Sequence, residues 1–244
     1  EPYRRQRQMC IRDSGEIGNG VANSAYITEP TQVEKGEYTE VIQSTSPDGS
    51  IVTTTTKAQK TLDDIKDIAA GYYYNLALDA EGNVWAWGYN ANGQLGLGDT
   101  SNRYKPTKID IENVIDIATG DSHTLLLTKD GKVYSCGTNS YSQLGRSGNT
   151  TKPEEVPGLE NISQIAASTY NSMALTKDGK LYTWGYNGYG QLGNGNTSNL
   201  YVPTEVMELE NIVDVAVENN TIIALDSKGQ VYSSGYLSLI HISE

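Results

Sequence analysis

The side chains that could act as a catalytic base, a nucleophile or a metal ligand are few in this chain. The 244 residues include two histidines, His123 and His241, and two cysteines, Cys10 and Cys136. A zinc site clusters such residues at fixed spacings, and a catalytic thiol or hydroxyl needs an adjacent group that activates it. The sequence shows neither arrangement. We therefore expect no catalytic residue, no metal site and no cofactor, and the chain is predicted not to be an enzyme.

The charge and hydropathy patterns argue against two classes of partner. Lys and Arg number 18 against 30 Asp and Glu, so the net charge is -12 and the chain repels phosphate backbones. No apolar run approaches the ~20 residues that span a bilayer. Glycine-rich segments such as residues 188–190 lack the Lys-Ser/Thr pair of a phosphate-binding loop. We expect no direct binding of nucleic acid and no membrane insertion.

A segment of 48 to 50 residues recurs along the chain and must position whatever site exists. Turn glycines are predicted at Gly82, Gly131, Gly179 and Gly229, and a second glycine repeats at Gly88, Gly137, Gly185 and Gly235. The two markers agree on the period. Such a period indicates supersecondary units that stack on one another, so we predict one domain of about four units.

Each unit has the pattern of four short strands. An apolar segment that ends in small residues (65–71 in the first unit) precedes a second apolar segment around residues 77–78, a glycine turn and a third strand at 84–87. Glycine supplies the positive φ that tight hairpins need. A loop rich in Gly and Asn then leads to Pro106, which is tolerated at the start of an outer edge strand. Four strands per unit are typical of a propeller blade.

The motifs Ile-Ala-Ala-Gly, Ala-Leu, Asp-Gly, Trp-Gly-Tyr-Asn and Gly-Gln-Leu-Gly occur in this order between residues 65 and 235. This succession resembles the regulator of chromosome condensation (RCC1) repeat, whose members are similar to seven-bladed β-propellers. The resemblance implies an all-β fold, here an incomplete RCC1-type β-propeller of about four blades with four short antiparallel strands per blade. Because so few repeats cannot close a seven-bladed ring, the end blades are expected to expose apolar faces.

The period also sets the predicted boundaries. Residues 15–33 are assigned to the end of a truncated repeat, 62–109, 110–157 and 158–207 to three full repeats, and 208–236 to a truncated fourth. Residues 34–61 exceed the period, and an alternating β pattern there flanks Ser-Pro-Asp-Gly. We predict an inserted β-hairpin, with a disordered Thr-rich linker as the alternative.

The two ends of the chain lie outside the repeat. Residues 9–14 (Met-Cys-Ile-Arg-Asp-Ser) and 237–242 (Leu-Ser-Leu-Ile-His-Ile) can be encoded by opposite strands of one DNA sequence, similar to the transposon end used in sequencing libraries. We therefore expect residues 1–14 and 237–244 to be translated sequencing adaptor around a metagenomic, bacterial fragment. Neither end then informs the fold.

Two residues that could be chemical have structural alternatives in the other copies. Cys136 occupies the position of Trp87, Trp184 and Ser234, which favours a small buried thiol. His123 occupies a position at which the RCC1 repeat usually has His, but the other copies carry Tyr74, Asn171 and Thr221. Since several polar types serve there, we predict that His123 makes a local hydrogen bond to a turn.

The copies differ most in the loop after the first strand. We predict Tyr72, Tyr73, Asp121 and Tyr170 as interaction residues, because per-repeat loops carry function on such scaffolds and Tyr offers contact area at low entropy cost; ordinary solvated loops are the alternative. The predicted function is a non-catalytic protein–protein interaction module that binds a protein partner. Nucleotide exchange on a small GTPase, which the resemblance implies for some members, and glycan binding at a cell surface are the alternatives. The compartment is left open, with an exported or cell-surface location as a hypothesis.

Overall fold

The computed structural model describes residues 34–45 and 51–236, with side chains described from residue 62 onward. All of its regular structure is β, and no helix occurs among these residues. The expectations for residues 1–33, for the turn at 46–50 and for residues 237–244 lie outside the described part of the chain.

Seventeen strands form five sheets in the described residues. The first sheet is a hairpin of β1 (Glu34–Thr45) and β2 (Ile51–Thr61), and the first blade contains β3 (Ile65–Ala70), β4 (Tyr74–Asp79), β5 (Val84–Gly88) and β6 (Arg103–Lys108). The second blade contains β7 (Val114–Thr119), β8 (His123–Thr128), β9 (Val133–Gly137) and β10 (Glu154–Glu155). The third contains β11 (Ile162–Ala167), β12 (Asn171–Thr176), β13 (Leu181–Gly185) and β14 (Leu200–Glu205), and the fourth β15 (Ile212–Glu218), β16 (Thr221–Asp226) and β17 (Val231–Gly235).

Each blade is an antiparallel meander in which consecutive strands pair. The first strands of successive blades, β3, β7, β11 and β15, contact one another, so they form the inner edge of the array. The four blades do not close into a ring within the described residues. The fold is therefore an all-β, incomplete propeller, as the sequence predicts.

The second strands of the first three blades lie buried in the centre of their sheets, and this burial favours sheet formation by such short segments. β4, β8 and β12 are buried along their whole length, which fits continuous apolar runs covered on both faces. A tight turn then reverses the chain, and Gly82, Gly131, Gly179 and Gly229 have φ between 80° and 87°. Residues with a side chain rarely adopt this backbone conformation, so glycine permits the turn at low cost in free energy.

The blades are joined by hydrogen bonds that repeat with the period. The backbone carbonyl of the Gln in each Gln-Leu-Gly loop accepts from the next blade: Gln94 from the Thr124 hydroxyl (2.8 Å), Gln143 from the Ser172 hydroxyl (2.7 Å) and the Trp184 indole (2.9 Å), and Gln191 from the Ser234 hydroxyl (2.8 Å). Buried acceptors that are satisfied in this way fix the spacing between neighbouring sheets.

The outer faces of the first and fourth blades are exposed where the inner blades are covered. Val231 in β17 is 68% exposed, whereas its counterparts Val84 and Val133 are fully buried. At the other end, Ile68 in β3 is 69% exposed although its counterpart Ile117 is only 6% exposed. Stacking against a neighbouring blade thus buries these positions, and the end blades present the apolar faces that the sequence predicts.

The segment predicted as an insertion contains the β1–β2 pair. The two strands pair antiparallel from Glu37 opposite Gln59 to Thr45 opposite Ile51. The register is continuous over this stretch, with an irregularity between Glu34 and Glu37. These residues therefore form a long two-stranded ribbon before the first blade.

Candidate interaction face

One end of the sheets carries the loops after the first strands, in which the copies differ most. At this end the residue after each third strand donates its backbone N–H to the loop after the first strand: Tyr89 to Tyr73 (2.7 Å), Thr138 to Ser122 (2.8 Å), Tyr186 to Tyr170 (3.0 Å) and Tyr236 to Asn220 (3.0 Å). We call this the loop end. The glycine hairpin turns lie at the opposite end. The repeated bond holds two loops of each blade side by side, so a ligand could contact both.

Tyr72 and Tyr73, two of the predicted interaction residues, contact each other through tilted rings. Their ring centroids are 3.9 Å apart, and the Tyr73 hydroxyl donates to the Tyr72 hydroxyl at 2.8 Å. Tyr73 has φ 66°, an uncommon conformation for a bulky residue. The Tyr72 N–H donates to the Asp121 carbonyl of the second blade at 3.1 Å. The structure thus places these loops of the first two blades in contact.

Asp121 is half-buried at the loop end. Burial raises the pKa of its carboxyl, and the nearby Glu218 raises it further, while a hydrogen bond from the Thr169 side chain opposes both effects. Thr169 directly precedes Tyr170, so Asp121 bonds to the loop that carries another predicted residue. The arrangement leaves two carboxylates within electrostatic range of each other, and a cation would relieve their repulsion.

Five tyrosines form a continuous strip across the second, third and fourth blades. The tyrosine strip consists of Tyr141, Tyr170, Tyr186, Tyr189 and Tyr236. Ring centroids lie 4.7 Å apart for Tyr141 and Tyr170, 5.1 Å for Tyr141 and Tyr186, 6.0 Å for Tyr186 and Tyr189, and 5.2 Å for Tyr189 and Tyr236. All are tilted or edge-on, which aromatic pairs prefer over a face-to-face arrangement.

The strip follows from the repeat, although the sequence alone does not indicate it. Tyr141 and Tyr189 occupy the same position in the Gly-Asn loops of successive blades, and each contacts the residue after the third strand of the next blade, Tyr186 or Tyr236. Asn92 and Thr138 occupy these two positions where the first and second blades meet. Of the residues predicted for the site, Tyr170 belongs to the strip.

His123 is buried and not available to a ligand. The Ser172 hydroxyl donates to the Gln143 carbonyl, so its oxygen accepts from His123 Nε2 at 2.9 Å and the ring carries its proton on Nε2. The other ring nitrogen has no partner among the described residues, and burial lowers the pKa of His123 to about 4. The prediction of a local hydrogen bond to a turn is wrong, because the His123 ring bonds to Ser172 in the next blade.

The Cys136 thiol is also enclosed by the blades. The side chain is fully buried, and its sulfur lies 3.7 Å from the Gln94 carbonyl of the preceding blade. Burial raises the pKa of this thiol to about 12, so it is protonated at neutral pH and a poor nucleophile.

The described residues contain neither a cluster of metal-ligating side chains nor a membrane-spanning helix. No group of three or more His, Cys, Asp or Glu side chains that could hold a metal ion occurs among them. In the same part of the chain, no helix is both long and apolar enough for a membrane span.

Residues 12–216 match the family model of the RCC1-like domain. The chain is 56% identical over 45 residues to the ultraviolet-B receptor UVR8 of Arabidopsis thaliana, which covers 18% of this chain and 10% of the receptor. It is 40% identical over 60 residues to Ras guanine nucleotide exchange factor C of Dictyostelium discoideum, which covers 25% of this chain and 4% of that protein. These matches therefore span a small part of each relative.

Solved structures extend the similarity to most of the chain. The structure of Kap60 bound to yeast RCC1 (Prp20) matches with a TM-score of 0.65 and 30% identity, over 76% of this chain and 47% of that one. The structure of Prp20p from Saccharomyces cerevisiae matches with a TM-score of 0.64 and 26% identity, over 82% and 54%. The chain thus spans about half the length of these relatives. With its stacked blades and a family match over most of its length, the chain belongs to the RCC1-like domain family.

Proposed function

We propose that this chain is a non-catalytic protein–protein interaction module and that it binds a protein partner through its loop end. The observation that carries the proposal is the tyrosine strip. Tyr141, Tyr170, Tyr189 and Tyr236 are 37% to 55% exposed although their rings contact one another. Contiguous exposed aromatic surface on a rigid scaffold is typical of binding sites, and Tyr is enriched in interface hot spots.

The rigid support of the strip also favours binding. Asn187 precedes the loop that carries Tyr189, and its side-chain amide donates to the carbonyls of Asn196 (3.0 Å) and Ser198 (2.9 Å). The Leu192 N–H donates to the Asn187 side chain at 2.9 Å, which closes the loop on itself. A pre-ordered loop loses little entropy when a partner docks, so its ring contacts contribute more of their energy to affinity.

Two features support a role without catalysis. The buried His123 is neutral at physiological pH, and the buried Cys136 thiol is protonated.

Among relatives, yeast RCC1 (Prp20) has been solved bound to Kap60, and Prp20p from Saccharomyces cerevisiae has binding properties to Gsp1p and histones. This yeast relative therefore binds other proteins.

A selection experiment tests the proposal while the partner is still unidentified. A phage-displayed peptide library is panned against the full chain, and the selected peptides are titrated against Tyr170→Ala, Tyr189→Ala and the control Tyr201→Ala. Tyr201 is 72% exposed on β14, outside the strip. We expect peptides whose affinity falls about tenfold in both strip variants and stays unchanged in the control. Failure to select any peptide, or equal binding by all variants, would overturn the proposal.

The two alternatives are tested with the same protein. Nucleotide exchange predicts faster release of a fluorescent GDP analogue from a Ras-family GTPase when the chain is added. Glycan binding predicts retention on an immobilised oligosaccharide that the Tyr189→Ala variant loses. Either result would replace the proposed function.

A further inference from the structure

Among the described residues, the loops that form and flank the tyrosine strip contain acidic residues but no Lys or Arg. The four loops after the first strands, residues 71–73, 120–122, 168–170 and 218–220, contain Asp121 and Glu218 and no Lys or Arg. The loop segments 138–145 and 186–199, which carry three of the strip tyrosines, contain no charged residue.

Arg146, which directly follows the loop segment 138–145 in the sequence, does not offset this negative charge. The side chain of Arg146 is 4% exposed, and its guanidinium donates to the Glu154 carboxylate at 2.9 Å and to the Ser135 carbonyl at 2.5 Å. It is therefore committed inside the second blade. Several described lysines, among them Lys129, Lys177 and Lys228, flank the hairpin turns at the opposite end. Carboxylates such as Asp130, Asp178 and Asp226 accompany these lysines, whereas the loops that form and flank the tyrosine strip contain acidic residues without Lys or Arg.

Asp121 is the group that would gain most from a cationic ligand. Its carboxyl is half-buried and lies within electrostatic range of Glu218, and both circumstances raise its pKa. Thr169 supplies a hydrogen bond but no charge. A guanidinium or ammonium group that approaches this position would stabilise the ionised carboxylate and would itself be partly shielded from water.

The strip adds a second attraction for the same kind of ligand. A cation over the face of an aromatic ring is held by the ring quadrupole, and Arg does this more often than Lys because its planar group also stacks. Ring centroids along the strip are 4.7 to 6.2 Å apart. An extended chain places side chains of one face about 6.6 Å apart, so alternate residues of such a segment can meet successive rings.

We infer that the tyrosine strip, together with Asp121 and Glu218, recognises an extended segment of a protein partner that carries arginine at alternate positions. The inference rests on the proposed function and specifies the chemistry of the partner. A neutral glycan would stack on the rings but gain nothing from the carboxylates, and a nucleic acid would be repelled by them.

The test uses the full chain and three fluorescein-labelled repeat peptides in which arginine, lysine or glutamate alternates with serine. Fluorescence anisotropy should show the tightest binding for the arginine peptide, about fivefold weaker binding for lysine and none for glutamate. Tyr189→Ala should weaken arginine binding while Tyr201→Ala should not. The double variant Asp121→Asn/Glu218→Gln should weaken binding and flatten its dependence on salt.

Each other outcome overturns the inference in a recognisable way. Absence of arginine-peptide binding, or equal binding of the arginine and lysine peptides that ignores Tyr189, would mean that the strip does not read cations. If peptides from the phage selection still lose affinity in Tyr170→Ala and Tyr189→Ala, the interaction face stands and only the basic partner is rejected. If neither probe responds to these variants, both proposals fail.

Discussion

A β-carbon on Gly120 would overlap the imidazole ring of His123, which folds back over the end of β7. The first blade repeats this relationship, since a β-carbon on Gly71 would overlap the ring of Tyr74. In the third blade the ring is replaced by Asn171, and the position of the glycine is taken by Ser168. The fourth blade has Thr221 and Glu218 there. The size of the side chain at this position and the residue three positions earlier therefore vary together within this one chain.

Gly120→Ser tests this coupling. The serine would press on the His123 ring and on the Ser168 carbonyl, and overpacking of a buried site costs about 1 to 3 kcal/mol of unfolding free energy. His123→Asn should also destabilise alone, because it leaves a cavity. The double variant, which imitates the Ser168 and Asn171 pair, should be more stable than Gly120→Ser alone. Urea denaturation of the four proteins measures the coupling, and additive losses would contradict it.

The stability of the chain should fall in mild acid because of His123. Its pKa is lowered to about 4 by burial and stands near 6.5 when exposed, so the unfolded state binds the proton more readily. The contribution of His123 is complete above pH 6.5 and is lost as the pH falls towards 4, with a total of about 3 kcal/mol. His123→Tyr, which imitates the Gly71 and Tyr74 pair, should lack this loss. Urea midpoints across the pH range check it, and parallel curves would assign the acid sensitivity elsewhere.

Most of the fold can be predicted from the sequence because its determinants are local. The turn glycines and the apolar second strands need no knowledge of distant residues. The outer strands are harder: β6 begins at Arg103, whereas the sequence indicates Pro106, and β10 has only two residues. In the second blade the guanidinium of Arg146 donates to the Ser135 carbonyl beside β10, and no local pattern reveals such an insertion.

The candidate site depends on contacts between blades, which the sequence does not display. Loop variation predicts Tyr170, but Tyr141 and Tyr186 meet only because two blades stack. The same is true of His123, whose partner Ser172 is 49 residues away. An alignment of the copies shows which positions correspond, but the pairing of one position with a different position in the next blade requires the three-dimensional arrangement.

The two buried tryptophans at equivalent positions should differ in what they contribute. Trp184 donates to the Gln143 carbonyl at 2.9 Å, whereas the Trp87 indole N–H has no acceptor among the described residues. Trp184→Phe should therefore cost about 1 kcal/mol more than Trp87→Phe, the value of one hydrogen bond, because the two changes remove similar volume. The Gln143 carbonyl keeps its bond from Ser172, which limits the loss. Chemical denaturation of both variants decides this, and equal losses would show that the indole bond contributes little.

Asp121→Asn should stabilise the fold while it weakens the proposed binding. The folded-state pKa of Asp121 is raised by burial and by Glu218, so the ionised form is disfavoured on folding. The native state then holds its proton more tightly than the unfolded state, and stability is lost as the pH rises through the folded pKa. Removing the charge should raise the unfolding free energy by a few tenths of a kcal/mol at neutral pH and have little effect below the pKa of an exposed Asp. Thermal unfolding at the two pH values measures the first effect, and peptide anisotropy measures the second. A variant that loses stability at neutral pH would show that the Asp121 carboxylate stabilises the fold and is not available to a cationic partner.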